Sequence, residues 1–195
     1  LFFLSGVSGL VYQVIWVRQL ARVFGNTVHS ASLVTGVFMG GLGAGSYFLG
    51  RFSDRRHRDD PSQPIRLYGW AELLIGALGL LFALILPRLS GFSAAISSYE
   101  PGANGWRELA FSAHLMRYAV TLLTLGPATF LMGGTLTLLI RYLVGAEIKS
   151  AGHRVGLLYG VNTAGAALGA LLTDFALVQA FGIFGTQLFA VALNL

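Results

Sequence analysis

The chain has 195 residues, of which 55% are hydrophobic and only 11% are charged, whereas soluble domains carry about 25% charged residues. It has no cysteine, which excludes disulfides, thiolate nucleophiles and cysteine-bound metals. The net charge of +5 comes from arginines in a few short segments, a pattern typical of membrane topology and anionic lipid rather than nucleic-acid binding. We therefore expect one all-α transmembrane domain over residues 1–195, surrounded by membrane lipids, with no room for a separate soluble domain.

Both ends of the chain lie inside apolar runs. Leu1 opens the first run without a preceding methionine or basic segment, and Leu195 closes the last one. We therefore interpret the sequence as a fragment of a longer protein. The first run is interpreted as a membrane span rather than a signal peptide, because no small-residue cleavage site follows it.

Apolar runs long enough to cross the hydrocarbon layer, about 20 residues each, recur along the chain. The pattern predicts a bundle of about six helices, with Gly182 and Gly185 marking the break between the last two. The predicted spans are 1–20, 28–50, 66–87, 113–144, 155–181 and 183–195, the last of them incomplete. Residues 88–110 are predicted to form an outer loop that holds a short interfacial helix near Tyr99 and Trp106.

The arginines predict the orientation, since short cytoplasmic loops retain Lys and Arg. They crowd between the second and third spans and between the fourth and fifth. These two loops and the N-terminus are therefore predicted to face the cytoplasm, in a bacterial inner membrane. Arg18, Arg22, Arg88 and Arg107 depart from the rule, but the basic residues between the second and third spans outweigh them.

A shift of 120 residues aligns the second span with the fifth. It places Gly36, Gly40, Ala44, Gly45 and Asp54 on Gly156, Gly160, Ala164, Gly165 and Asp174. Small residues on one stripe allow close helix packing, and the predicted packing residues are Gly36, Gly40, Gly43, Gly156 and Gly160. Because the two spans run in opposite directions, the match predicts an inverted three-plus-three repeat, as in half of a major-facilitator fold. A chance alignment of two Gly-rich membrane helices is the alternative.

A basic segment follows the second span, with Asp54, Arg55 and Arg58 at its centre. Its pattern of glycine, Asp-Arg and further basic residues resembles the loop signature of major-facilitator transporters. Asp54 can accept hydrogen bonds from a helix N-terminus or pair with an arginine, and so latch two helices on the cytoplasmic side. An ordinary positive-inside loop is the alternative.

Polar side chains at membrane depth are further candidates for a functional role. They are Gln13, Arg18, Glu72, Arg117, Asn162 and Asp174. An ionised carboxylate at the centre of a span costs about 2.5–3.5 kcal/mol, so Asp174 requires water or a partner. The candidate partners are Arg117 and Arg18. We interpret these residues as a polar interior between the repeats. Alternatively, Gln13 and Asn162 only join helices by hydrogen bonds, and Asp174 lies at the interface.

The sequence contains no catalytic constellation. Its four histidines lie at span ends or in loops without metal-ligand spacing. The segment 41–45 imitates a phosphate-binding loop but lies inside an apolar helix, where we interpret its glycines as packing residues. We expect no metal and no cofactor in this chain other than lipid.

Six segments together resemble the membrane portion of bacterial membrane-bound spermidine synthase-like proteins, in which a major-facilitator-like domain is fused to a spermidine synthase. They are FLSG at 3–6, LVYQVIWVR at 10–18, VFGNTV at 23–28, FMGGL at 38–42, LMGGTL at 131–136 and GLLYGVNTAGA at 156–166. Two residues depart from the family pattern, because Thr137 replaces an expected proline and Gly160 an alanine.

The resemblance implies a membrane module with an anchoring or transport-like role, followed by a cytoplasmic aminopropyltransferase domain that uses decarboxylated S-adenosylmethionine. No such Rossmann-like domain lies within these residues, so we do not expect this chain itself to be an enzyme. Two alternatives remain. The chain is an accessory subunit that binds other transmembrane helices or subunits of a larger complex, or a half-transporter that forms a homodimer.

Overall fold

The structure is a computed structural model that describes residues 1–25, 27–56, 62–89, 91, 98–101, 107–144 and 148–195. Within these ranges, side chains are not described at 55, 56, 107, 108, 144 and 148–151. The helices are α1 (Phe2–Phe24), α2 (Val28–Arg56), α3 (Gln63–Leu89), α4 (Phe111–Val144), α5 (Ile148–Leu172) and α6 (Val178–Asn194). A π-helical turn, Thr173–Leu177, joins α5 to α6.

The described residues confirm the all-α class and indicate a membrane protein. Four helical stretches are long and apolar enough to cross a bilayer, namely Val28–Asp54, Gln63–Leu89, Phe111–Leu143 and Gly152–Asn194. The predicted count of six is not met by this measure. Gly152–Asn194 counts as one stretch although two spans are predicted there, and α1 is too polar to count as a candidate span. About half of α1 is buried inside the bundle, so its polar residues need not face lipid.

Local signals set the helix ends. At the end of α1, Gly25 adopts a φ of 89°, a left-handed conformation that favours glycine. The Thr27 hydroxyl then accepts a hydrogen bond from the Ser30 N–H at 3.2 Å, which caps the start of α2. Pro64 lies in the first turn of α3, where its missing N–H leaves no hydrogen bond unmade.

Gly182 interrupts the helical geometry of α6. Its φ of 64° and ψ of −177° are non-helical, in a region that a side chain would disfavour. This is one of the two glycines at which the sequence predicts a break. Residues beyond it lie against α1 and α3.

The centre of the bundle is α1, which packs most extensively on α5 and α6, while α2 packs on α4. Its core is aromatic. The Tyr12 and Trp16 rings stack with centroids 4.9 Å apart, and Trp16 meets the edge of Phe82 at 5.5 Å. Such ring pairs add dispersion and quadrupole attraction, which matters where lipid removes the hydrophobic drive for association.

Two three-residue strands lie between α3 and α4. β1 (Tyr99–Pro101) pairs antiparallel with β2 (Arg107–Leu109), with Tyr99 opposite Leu109. The described part of this loop thus forms a strand ladder of three backbone pairs. Most of the loop lies outside the described residues, so the interfacial helix stays a prediction. Trp106 lies outside the described residues.

Candidate functional site

A line of polar side chains runs along one side of α1, facing α3 and α6. We call it the polar seam, and it consists of Ser5, Tyr12, Gln19, Glu72, Gln187 and Asn194. The α1 members are seven residues apart, and so are the two α6 members, a spacing that keeps side chains on one helix face. From Ser5 to Gln19 the seam is about 20 Å long at 1.5 Å per residue.

Glu72 forms one end of the polar seam. It is 8% exposed, and its carboxylate accepts hydrogen bonds from the Ser5 hydroxyl at 2.7 Å and the Asn194 amide at 2.5 Å. The Tyr68 hydroxyl, one turn earlier on α3, also neighbours this carboxylate. In the described part of the chain, no ion pair joins Glu72 to a cation. This carboxylate is thus buried at membrane depth among neutral donors.

Two glutamines form the other end of the polar seam. The Gln19 amide donates to the Gln187 oxygen at 3.0 Å, and the Gln187 amide donates to the Gly79 carbonyl at 2.8 Å. Between the two ends, the Tyr12 hydroxyl packs against Gly79, where a Cβ atom would come within 2.5 Å of it. The missing side chain of Gly79 therefore makes room for Tyr12.

Arg18 and Asp174, predicted as possible partners, form an ion pair with a nitrogen–oxygen distance of 2.7 Å. It joins α1 to the π-helical turn, and both side chains are more than two-fifths exposed. Asp174 therefore lies outside the buried interior. Arg117, the other partner considered, is buried, with its guanidinium carbon 5.6 Å from the centroid of the Phe24 ring.

Asp54 forms an ion pair with Arg141, which joins the end of α2 to the end of α4. This is a contact of the kind predicted for the latch, made with an arginine on a neighbouring helix. The side chain of Arg55 and the whole of Arg58 lie outside the described residues, so their predicted part in the latch stays a prediction.

Gln13 and Asn162 do not join the polar seam. Gln13 is half-buried one position beyond Tyr12. Asn162 lies against Gly6, where a Cβ atom would overlap its backbone carbonyl oxygen, and it lines a cavity of about 100 Å³ together with Ser5.

The predicted packing glycines do not pack helices within this chain. Gly36, Gly40, Gly43, Gly156 and Gly160 are exposed, and a Cβ atom added at any of them would meet no other atom within 4 Å. Within this chain, the contacting glycines lie one or two positions from the predicted stripe, a rotation of about 100–200° around the helix. Packing of the predicted stripe against another chain stays a prediction.

Other glycines bring the helices into close contact. A Cβ atom at Gly45 would overlap the Phe130 backbone of α4, and one at Gly165 would overlap the Phe3 backbone of α1. Gly133 and Gly169 make similar contacts with the backbones of Leu42 and Val7, whereas Gly41 and Gly134 make room for the side chains of Thr129 and Leu49. They let backbones approach as in other membrane helix pairs.

Among the described residues, no three His, Asp or Glu side chains are grouped as a metal site requires. The His29 and His114 rings lie 5.2 Å apart, and the Tyr118 hydroxyl is 3.3 Å from His29 Nε2. This pair joins the first turns of α2 and α4.

The fold and the polar seam define the class of this chain as an all-helical membrane protein with an intramembrane carboxylate. Comparison with protein-family models, curated proteins and solved structures gave no match.

Proposed function

We propose that this chain is the membrane-embedded module of a spermidine synthase-like protein, which anchors a cytoplasmic aminopropyltransferase domain and binds a polyamine-type cation at Glu72. The observation that carries the proposal is the Glu72 carboxylate, buried at membrane depth with neutral hydrogen-bond donors from α1 and α6. The six sequence segments that resemble this family add support.

The chemistry of Glu72 suits a cation. An ionisable residue inside a membrane helix is costly and is commonly retained for a binding or transport role. Ser5 and Asn194 hold the two carboxylate oxygens from different helices, which orients the group. An ammonium would add an opposite charge to a carboxylate whose described partners are neutral donors.

We further propose the architecture of half a major-facilitator fold. Three contacts between α1 and α5 have counterparts between α4 and α2. The pairs are Phe3–Gly165 with Phe130–Gly45, Gly6–Asn162 with Gly133–Leu42, and Val7–Gly169 with Gly134–Leu49. In each matched pair of contacts, the residue of α4 has a number 127 higher than its counterpart in α1, and the residue of α5 has a number 120 higher than its counterpart in α2. These matched contacts support the repeat over a chance alignment of glycines.

The two ion pairs support the same architecture. Asp54 and Asp174 are related by the shift of 120, and each pairs with an arginine on the helix that its own helix packs against most. Adding 127 to the residue number of Arg18 gives a position about one helical turn after Arg141. An inverted repeat places such equivalent pairs at opposite faces of the membrane.

Six crossings require the chain to reverse direction at Gly182. The contacts favour this reversal, because α5 runs parallel to α1, from Gly165 beside Phe3 to Asp174 beside Arg18. By contrast, α6 runs from Gln187 beside Gln19 towards Asn194, which shares Glu72 with Ser5. We propose the bacterial inner membrane with a cytoplasmic N-terminus, as the arginine distribution predicts.

Spermidine binding by the purified protein in detergent tests the proposal. We expect spermidine to bind the wild-type protein, and Glu72→Gln to weaken binding by about tenfold or more, since a charge-assisted hydrogen bond is worth about 1.5–3 kcal/mol. Asp174→Asn is the matched control, because it removes an exposed carboxylate elsewhere and should change affinity by less than about twofold. Isothermal titration calorimetry measures all three proteins.

Two results would contradict the proposal. One is no binding of spermidine to the wild-type protein, and the other is equal affinity of the wild-type and Glu72→Gln proteins. The thermal unfolding of each variant without spermidine shows whether it is folded.

A half-transporter is the second candidate function. It is favoured by the exposed glycine stripes of α2 and α5, which leave two symmetry-related faces open to another helix. This function requires a homodimer of the chain, whereas the anchoring function does not.

A further inference from the structure

We propose that the structure holds a binding site for an anionic phospholipid, of the phosphatidylglycerol type, where α1 ends beside Gly182. This inference does not depend on the proposed function, because it concerns the opposite end of α1 from Glu72. It rests on a cavity, a cation and a buried acceptor that meet at one place.

The cavity has a narrow part and a wide part. The narrow part has a volume of about 220 Å³ with mainly apolar walls, among them Val23, Leu86 and Phe184. The wide part is about 660 Å³ and opens beside Gly182. Arg22 and Ile183 line both parts. Because Arg22 lies where the two parts meet, a phosphodiester bound to it would extend its headgroup into the narrow part and its acyl chains through the opening.

Arg22 supplies the positive charge. It lies in the last turn of α1, is exposed, and forms no ion pair with another described residue. Arg18, one turn earlier on the same helix face, also lines the opening, but its guanidinium is already paired with Asp174. Arg22 is therefore the guanidinium that is available to a phosphodiester, which arginine can bind through two parallel hydrogen bonds.

Gln19 supplies a hydrogen-bond acceptor inside the narrow part. It is 5% exposed, and its amide nitrogen is used by Gln187, while its side-chain oxygen has no partner. A buried acceptor without a donor is costly. The hydroxyls of a glycerol headgroup can donate to this oxygen, whereas a choline headgroup has no donor. The site therefore favours phosphatidylglycerol over phosphatidylcholine on both charge and hydrogen bonding.

Lipid selectivity of the whole protein, purified in detergent, tests the site. Native mass spectrometry measures how much dioleoyl phosphatidylglycerol or dioleoyl phosphatidylcholine remains bound. We expect the wild-type protein to prefer phosphatidylglycerol by at least about fivefold, the ratio that corresponds to about 1 kcal/mol per arginine. Arg22→Gln should remove this preference.

Arg88→Gln is the matched control. Arg88 lies at the same face, at the end of α3, and its guanidinium donates to the Leu84 carbonyl, so the preference should remain. Ile183→Trp keeps the charge but fills the cavity, and it should reduce the binding of both lipids. A melting curve of each variant reports whether it is folded.

Three outcomes would overturn the proposal. The first is no lipid preference in the wild-type protein, and the second is an equal loss in Arg22→Gln and Arg88→Gln, which would indicate general surface charge. The third is that inorganic phosphate displaces the lipid at millimolar concentration, which would make this a site for free phosphate.

Discussion

Individual residues of the polar seam illustrate how buried polar groups specify the arrangement of membrane helices. Gln187 donates to Gly79 and accepts from Gln19, so one side chain fixes α6 against both α3 and α1. In hydrocarbon, interhelical hydrogen bonds contribute about 0.6 kcal/mol on average and up to about 1.7 kcal/mol. The polar seam therefore adds less to stability than to the register of α6.

Replacing Gln187 by alanine should lower stability measurably. The change removes both hydrogen bonds and leaves the Gln19 amide without its acceptor, so we expect a loss of about 1–3 kcal/mol. Chemical unfolding in detergent micelles measures it. Gln179→Ala is the control, because Gln179 makes one exposed contact with the Asp174 carbonyl, and its loss should be below about 0.5 kcal/mol. Equal losses in the two variants would contradict the role of Gln187.

The sequence predicts part of this residue-scale picture. Glu72 is visible because a carboxylate in an apolar run is anomalous, and Arg18 and Asp174 are visible as opposite charges. Ser5, Tyr12 and Gln19 are harder to recognise, because each is an ordinary residue within α1. Their seven-residue spacing, repeated at Gln187 and Asn194, is the signal that could have identified them.

At the scale of the element, helix pairs are held by glycines whose position around the helix matters more than their number. In α2, Gly45 faces α4, whereas Gly43 faces open space. The repeat of small residues every three or four positions predicts that α2 and α5 have a packing face. It does not predict which of several glycine stripes forms it, since the partner helix decides that.

Gly45→Ala should destabilise the α2–α4 pair. Its methyl group would overlap the Phe130 backbone, which cannot rotate away, so we expect a cost of about 1–3 kcal/mol and an unfolding temperature several degrees lower. Gly43→Ala adds a methyl group to the same helix in open space and should be neutral or slightly stabilising. Differential scanning calorimetry in detergent compares them, and an equal effect of both substitutions would contradict the packing.

At the scale of the whole molecule, composition predicts the membrane class, and four long apolar stretches agree with it. The predicted count of spans depended on hydropathy alone and is not met by that measure. α1 falls short because it is too polar, which its burial among neighbouring helices permits. Gly152–Asn194 counts as one stretch although Gly182 is non-helical. The matched contacts of α1 with α5 and of α4 with α2 are tertiary information that no single segment contains.

The central claim is that the chain crosses the membrane as an inverted repeat. Because the chain has no cysteine, a single cysteine at Ser62, Thr27 or Gln179 can be labelled in intact vesicles with a membrane-impermeant maleimide. We predict that the cysteine at 62 reacts from one side, and the cysteines at 27 and 179 from the other. If the cysteines at 62 and 179 reacted from the same side, the inverted repeat would be contradicted.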